Sequence, residues 1–247
     1  MFQAPISKLA KFSLRWAFLC AAVAAAAGPA YQLEFLDLRG AMLALTGGVA
    51  GGALAVLLGA LAVRATLGLG GKRGRGRAVA AMAVGVLVVA IPSPYFLASV
   101  TSPAIHDLST DTEDPPAFVA LADDRAAAPH GVDYPGERAS MLQAAAYPEV
   151  APAIYPGVNR DEVFRAVKAS AEELGWQVVA ADSAAGQLEA TDRSFWFGFI
   201  DDVVIRVRET DDGVRVDIRS ASRLGESDLG ANAERIGRFF AEMDRRL

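Results

Sequence analysis

The residues best suited to chemistry are His106, Asp107 and Asp111, which follow the last apolar segment of the chain. An imidazole and two carboxylates at this spacing can ligate a hard cation or activate a water molecule. The stretch lacks the glycine and the distal glutamate of a calcium loop, the only other histidine is His130, and no Gly-x-Ser-x-Gly motif is present. We therefore expect a protein without catalytic residues, cofactor or bound metal. A metal-dependent or hydrolytic enzyme using these three residues is the alternative.

A dense aromatic cluster is the first candidate for ligand binding. It consists of Phe195, Trp196, Phe197 and Phe199. Alternate residues of a strand point to opposite faces, so these rings cannot all enter one core. We expect some of them to be exposed, to line a cavity for an apolar ligand, or to enter a membrane interface. A bulged edge strand covered by the linker at residues 106–150 is the alternative.

Four arginines form the second candidate. Arg206, Arg208, Arg215 and Arg219 occupy the strand positions opposite an apolar face, and only Asp217 lies among them. Guanidinium groups on two paired strands are suited to phosphate or carboxylate headgroups. A solvated sheet face explains the same pattern.

The start of the last predicted helix is the third candidate. Asp228 and Asn232 lie there, and Arg223 precedes them closely in the sequence. An acidic residue at a helix start is expected for capping alone, so a structural role is the alternative.

The pattern of residues 151–247 predicts the fold that positions these groups. A capping box at 159–162, an apolar stripe and Gly175 predict a helix over 159–174. Two hairpins of alternating residues and a closing amphipathic helix follow. The order α-β-β-β-β-α implies a soluble antiparallel four-stranded sheet with two helices on one face. Residues 119–150 carry little periodicity, and we expect residues 106–150 to form a polar linker.

Residues 1–105 predict a transmembrane region. Three segments without charged side chains, 16–33, 41–63 and 78–105, are long enough to cross a bilayer. They place helices at about 14–33, 41–63 and 78–97, so the fold class is membrane-anchored α+β. The first helix also has features of a cleaved signal peptide, and that alternative stays open.

The charge distribution predicts the orientation. Up to Ile105 the chain has nine Lys/Arg and two Asp/Glu, and the rest has fifteen and twenty-seven, so +7 and −12 sum to −5. On one side of the predicted membrane lie Lys8, Lys11, Arg15, Arg64, Lys72, Arg73, Arg75 and Arg77, against Arg39 alone on the other. Since cations resist translocation, we expect a cytoplasmic amino terminus and a periplasmic or extracellular domain of a bacterial inner membrane protein. Nucleic acid is disfavoured for an acidic external domain.

Glycines in the second apolar segment predict close helix packing. Gly47 with Gly51, and Gly48 with Gly52, form two overlapping G-x-x-x-G pairs. We expect them to pack against the alanine-rich first helix, with homo-oligomerisation as the alternative.

Three motifs in residues 105–247 carry a family resemblance. They are Ile105-His106-Asp107 with Pro115-Pro116-Ala117-Phe118, the aromatic run continuing into Asp201-Asp202, and Ser227-Asp228-Leu229-Gly230 with Asn232. They resemble the domain of unknown function 1499 family. The resemblance implies a bacterial envelope protein and carries over no activity. We expect a non-catalytic envelope protein whose external domain binds a membrane lipid, an amphipathic ligand or an envelope protein partner, with a purely structural assembly factor as a further alternative.

Overall fold

The protein divides into two compact units. The computed structural model describes residues 5–67 and 73–247, so Lys72 of the predicted cytoplasmic loop lies outside the described residues. The first unit runs to Leu97 and includes Trp196–Gly198, and the second comprises Ala98–Phe195 and Phe199–Leu247.

The first unit is helical. Helices α1 (Lys8–Gln32), α2 (Leu38–Arg64) and α3 (Arg75–Ala90) are followed by α4 (Ser93–Thr101), which continues into the second unit. Among the described residues, three helical stretches are long and apolar enough to cross a membrane, the third running from Arg75 to Thr101. The prediction of three such helices is confirmed.

Local signals set the helix ends. The Ser7 hydroxyl accepts a hydrogen bond from the Ala10 amide, and the Asp37 carboxylate accepts one from the Gly40 amide at 2.7 Å. Both caps lie earlier in the chain than the helix starts predicted from the charge-free segments. A capping residue, and not the last charged residue, determines where a helix begins. Pro92 separates α3 from α4, since proline has no amide hydrogen to continue the helical bonding.

The glycines of α2 serve contacts within the helical unit. A Cβ atom on Gly48 would lie 2.8 Å from the Cβ atom of Ala24, and one on Gly52 would lie 2.7 Å from Val88. A Cβ atom on Gly51 would overlap the Cys20 sulfur. A Cβ atom on Gly47 would meet no described atom within 4 Å. Three of the four glycines therefore allow α1 and α3 to approach α2 closely.

The second unit contains an antiparallel sheet. Within the described residues it has six strands, β1 (Asp107–Ser109), β2 (Ala153–Tyr155), β3 (Gln177–Asp182), β4 (Gln187–Arg193), β5 (Ile200–Thr210) and β6 (Gly213–Ser222). The order is β1-β6-β5-β4-β3, and β2 also pairs with β6. The predicted four-stranded sheet is therefore wrong in its strand number. Strands β1 and β2 have three residues each, too few to produce a recognisable alternation.

One face of the sheet is covered by two helices, α7 (Arg160–Glu173) and α8 (Ala231–Asp244). Asn159 caps α7, with its side-chain oxygen accepting from the Glu162 amide at 2.8 Å, as the capping box predicts. The core between these helices and the sheet includes Val167, Ile205 and Phe239, all fully buried. Burial of this apolar surface is the main stabilising contribution to the unit.

On the other face, Phe118 and Leu121 of the segment predicted as a polar linker pack on Val204 and Ala221 of the sheet. The same segment also contains β1 and the helices α5 (Ala122–Ala126) and α6 (Glu137–Ala146). The buried Glu189 carboxylate on β4 accepts three hydrogen bonds of 2.8–2.9 Å from the amides of residues 119–121. These hydrogen bonds come from backbone amides, so they require no particular side chains in residues 119–121. The sequence pattern of the segment therefore does not reveal this packing.

Candidate functional site

Three of the four candidate arginines form a neutral cluster with aspartates. Arg206, Arg208 and Arg215 each lie within 3.4 Å of both Asp111 and Asp217. Arg206 and Arg208 also contact Asp114, at 2.9 and 3.3 Å. Three positive and three negative groups leave no excess charge to attract a headgroup.

The arginines of this cluster help to lower the pKa of Asp111. Burial pushes the pKa of Asp111 upward, but the Asp114 amide and the three arginines outweigh burial, and the net pKa lies below 3.8. Asp111 is therefore ionised at neutral pH and acts as an acceptor for guanidinium groups.

The fourth candidate, Arg219, is paired inside the protein. It is 3% exposed and donates to Asp107 from Nε at 3.0 Å and from Nη2 at 2.7 Å. Its guanidinium also lies 4.9 Å from the Phe118 ring centre. Such a buried pair holds the preceding segment on the sheet and presents no open ligand position.

A further charged cluster, centred on the buried Asp202, involves Arg223. Its guanidinium bonds both carboxylate oxygens of Asp202, at 2.9 and 3.0 Å, and contacts Asp124 at 3.2 Å. Asp202 also accepts from Arg125 at 2.9 Å. Two arginines and two aspartates balance each other here as well.

His106, Asp107 and Asp111, the residues of the enzyme alternative, are not grouped as metal ligands in the described part of the chain. Asp107 is engaged by Arg219, and Asp111 by three arginines. In the described part of the chain, no group of three His, Cys, Asp or Glu side chains is placed to hold a metal ion. The alternative of an enzyme therefore gains no support from the geometry of these residues.

The two histidines of the chain stack on each other. The ring centres of His106 and His130 are 3.6 Å apart, with planes at 20°. A ring nitrogen of His130 lies 2.9 Å from the Gly225 carbonyl oxygen, whereas Nδ1 of His106 is buried and has no hydrogen-bond partner among the described residues. Burial, followed by the charge of His130, lowers the pKa of His106. No local pattern predicts this pair, because its members lie far apart in an irregular part of the chain.

Asp228 and Asn232 organise the start of α8. The Asp228 carboxylate accepts from the amides of Gly230 and Asn232, each at 2.9 Å. The buried Asn232 side chain accepts from Ser220 and donates to the His106 carbonyl oxygen. Burial raises the pKa of Asp228. These contacts match the structural alternative, in which the motif fixes the helix to the sheet.

The aromatic cluster is divided. Within the helical unit, the Trp196 ring nitrogen donates to the Ala25 carbonyl oxygen at 3.2 Å, and Gln32 donates to the Trp196 carbonyl oxygen at 2.7 Å. The Phe197 ring is buried and lies 6.3 Å from Tyr31. Phe195, in the second unit, is 98% exposed. As expected, the rings do not share one core.

An open groove in the second unit was not predicted from the sequence. It has a volume of about 520 Å³ and lies between α5 and the ends of β3, β4 and β5. Its polar lining includes Gln177, Thr191, Arg193 and Arg223, and its apolar lining includes Val179 and Ile200. Volumes of this size suit small organic ligands. Arg193 was missed because the residue lies alone at a strand end, outside the clustered arginines.

Comparison with known proteins gives one family. A family model described as "Protein of unknown function (DUF1499)" matches residues 107–243. No curated protein and no solved structure gives a significant match to the chain. The matched range includes β1 and the covering segment as well as the sheet, α7 and most of α8.

Proposed function

The chain belongs to the DUF1499 family, and from this premise we propose that it is a non-catalytic envelope protein, anchored in the bacterial inner membrane, whose external domain contacts membrane lipid. The amino terminus and the α2–α3 loop lie in the cytoplasm. The second unit lies in the periplasm or outside the cell.

The charges at the ends of the apolar helices support this orientation. Arg64 ends α2, and Arg75 and Arg77 begin α3, whereas the short connection from α1 to α2 is followed by Arg39 alone. The Ser7 amide donates to the Arg73 carbonyl oxygen at 2.8 Å, so the start of α1 lies beside the same cation-rich loop. Cations on one side of a bundle of apolar helices favour retention of that side in the cytoplasm.

The aromatic segment 195–199 is the observation that carries the lipid proposal. Trp196 bonds to Ala25 near the end of α1, and its neighbour Phe195 is almost completely exposed. Exposing a phenylalanine ring to water is unfavourable by about 2 kcal/mol relative to burying it. A membrane interface supplies apolar surroundings for such a ring while the adjacent backbone stays hydrated.

The charged face gives no support to the enzyme alternative. Its arginines and aspartates are engaged with each other, in pairs that hold the covering segment in place. Catalytic groups need an open position beside a substrate, and these paired side chains provide none.

Depth-dependent fluorescence quenching tests the proposal. The full chain is reconstituted into vesicles whose lipids carry bromine on the acyl chains, with Phe195→Trp as the probe. We expect bromolipid to quench the added emission at position 195, measured as the difference from the wild-type protein.

The matched control is Val119→Trp, a substitution of another exposed apolar residue of the second unit. Its added emission is expected to be insensitive to bromolipid. Equal insensitivity at both positions would refute the lipid contact, and cross-linking from position 195 to another envelope protein would favour the partner alternative.

A further inference from the structure

The groove between α5 and the sheet contains a row of polar side chains on one face. Gln177 and Thr191 are directly opposite each other in the β3–β4 register, so their side chains lie on the same face. Arg193 follows Thr191 by two residues and therefore shares that face. Ile200 is opposite Arg193 on β5. The groove thus places an amide, a hydroxyl and a guanidinium beside an apolar side chain.

Arg193 differs from the other arginines of this face. Arg206, Arg208, Arg215, Arg219 and Arg223 each have a carboxylate partner. No carboxylate among the described residues forms an ion pair with Arg193, which is exposed at the groove.

The acidic residues in the lining are already engaged. Asp124 contacts Arg223 at 3.2 Å, and Asp192 contacts Arg235 of α8 at 2.9 Å. The Asp192 carboxylate therefore points to the opposite face of the sheet. Of the charged residues that line the groove, Arg193 alone forms no ion pair with a described residue, and the side chains of Gln177 and Thr191 add hydrogen-bond donors.

We propose that this groove binds an anionic headgroup, a phosphate or a carboxylate, whose attached apolar portion lies against Ile200 and Val179. Arg193 forms charge-assisted hydrogen bonds to the anion, and Thr191 and Gln177 donate to its remaining oxygens. The inference deepens the proposed lipid contact and rests on it for the source of the ligand.

Calorimetric titration of the full chain in zwitterionic nanodiscs tests the site. The probes are inorganic phosphate and dihexanoyl phosphatidic acid, which share the phosphate group and differ in acyl chains. We expect Arg193→Gln to weaken phosphatidate binding about tenfold, the loss that follows from removing one charge-assisted contact of about 1.4 kcal/mol. Thr191→Val weakens binding by a smaller factor.

Arg165→Gln is the matched control, since it removes the same charge from the exposed surface of α7, outside the groove. It leaves both affinities unchanged. Tighter binding of phosphatidate than of phosphate, lost in Arg193→Gln, supports a lipid headgroup as ligand. Equal binding of the two probes, lost in the same variant, supports an anion site filled from solution.

Two results would overturn the site: no heat with either probe, or equal effects of Arg193→Gln and Arg165→Gln. Failure of the groove is distinguishable from failure of the proposed function. Quenching at position 195 without anion binding would refute only the groove.

Discussion

Arg219 shows how a candidate binding residue can be a structural one. Its guanidinium is buried and bonds Asp107 through two nitrogens, with further contacts to the Pro116 and Val132 carbonyl oxygens. We predict that Arg219→Met lowers the free energy of unfolding by about 3–5 kcal/mol, because an unpaired carboxylate then stays buried. Denaturant unfolding followed by Trp176 fluorescence measures the loss.

Asp114→Asn is the control for this charged face. Asp114 is 70% exposed and contacts Arg206 and Arg208, so its removal is expected to cost at most about 1 kcal/mol. A similar loss of unfolding free energy in both variants would mean that the buried Arg219–Asp107 pair contributes no more to stability than the exposed contacts of Asp114.

The stacked histidines predict a pH dependence of stability. Burial lowers the pKa of His106 below 6.5; His130 and Arg125 lower it further, and Asp107 opposes them. The unfolded chain therefore binds this proton more readily than the folded chain. The contribution to stability is fully present above about pH 6.5 and is lost as the pH falls from there toward the folded pKa.

Thermal unfolding between about pH 7.5 and about pH 5.5 checks this prediction. We expect His106→Asn to flatten the decrease seen in the wild type. His130→Asn should flatten it only partly, because burial is the larger cause of the shift. Parallel curves for the wild type and His106→Asn would contradict it.

For individual residues, the sequence pattern indicates the charged positions but not their partners. The alternation of β5 and β6 correctly placed Arg206, Arg208 and Arg215 opposite the apolar face. Their partners Asp111 and Asp114 lie about a hundred positions away in a segment without periodicity, so nothing local predicted the pairing.

Among the helices, the packing of α2 against α1 predicts the effect of replacing one glycine. Gly51 lies beside Cys20, and its carbonyl oxygen accepts from the Trp16 ring nitrogen at 3.0 Å. We predict that Gly51→Val lowers stability by about 1–3 kcal/mol through overpacking between α1 and α2. Thermal unfolding in detergent gives the measurement.

Gly47→Ala tests the opposite side of the same helix. No described atom lies within 4 Å of the added methyl group, so this variant should keep the wild-type stability. Should Gly47→Ala instead dissociate an oligomer while Gly51→Val is tolerated, the glycines would serve contacts between chains.

The elements differ in how far the sequence predicted them. Asn159, Glu162 and Gly175 define α7 through local chemistry, and the structure follows them. Strands β1 and β2 exist because their backbone groups pair with β6, at residues 219–221 and 214–216. Such pairing depends on the whole sheet and leaves little trace in three residues of sequence.

At the scale of the whole molecule, the sequence separates a basic apolar part from an acidic one. The basic part holds a net charge of +7 up to Ile105, and the remainder holds −12. The structure divides near the same position, at Leu97 and Ala98, but assigns Trp196–Gly198 to the helical unit. Only contacts between residues distant in the sequence reveal that Trp196–Gly198 belong to the helical unit, because the aromatic run by itself is typical of a strand.

The charge asymmetry predicts which ends of the molecule face outward. We expect Asp212→Cys, at the exposed tip of the β5–β6 hairpin, to react with a membrane-impermeant maleimide in intact cells whose outer membrane is permeabilised. Gly76→Cys, at the exposed start of α3, should react only after lysis. The native Cys20 is buried and provides a low background. Labelling in the reverse order would refute the periplasmic assignment of the acidic domain, because the cations and not the acidic half would then have crossed the membrane.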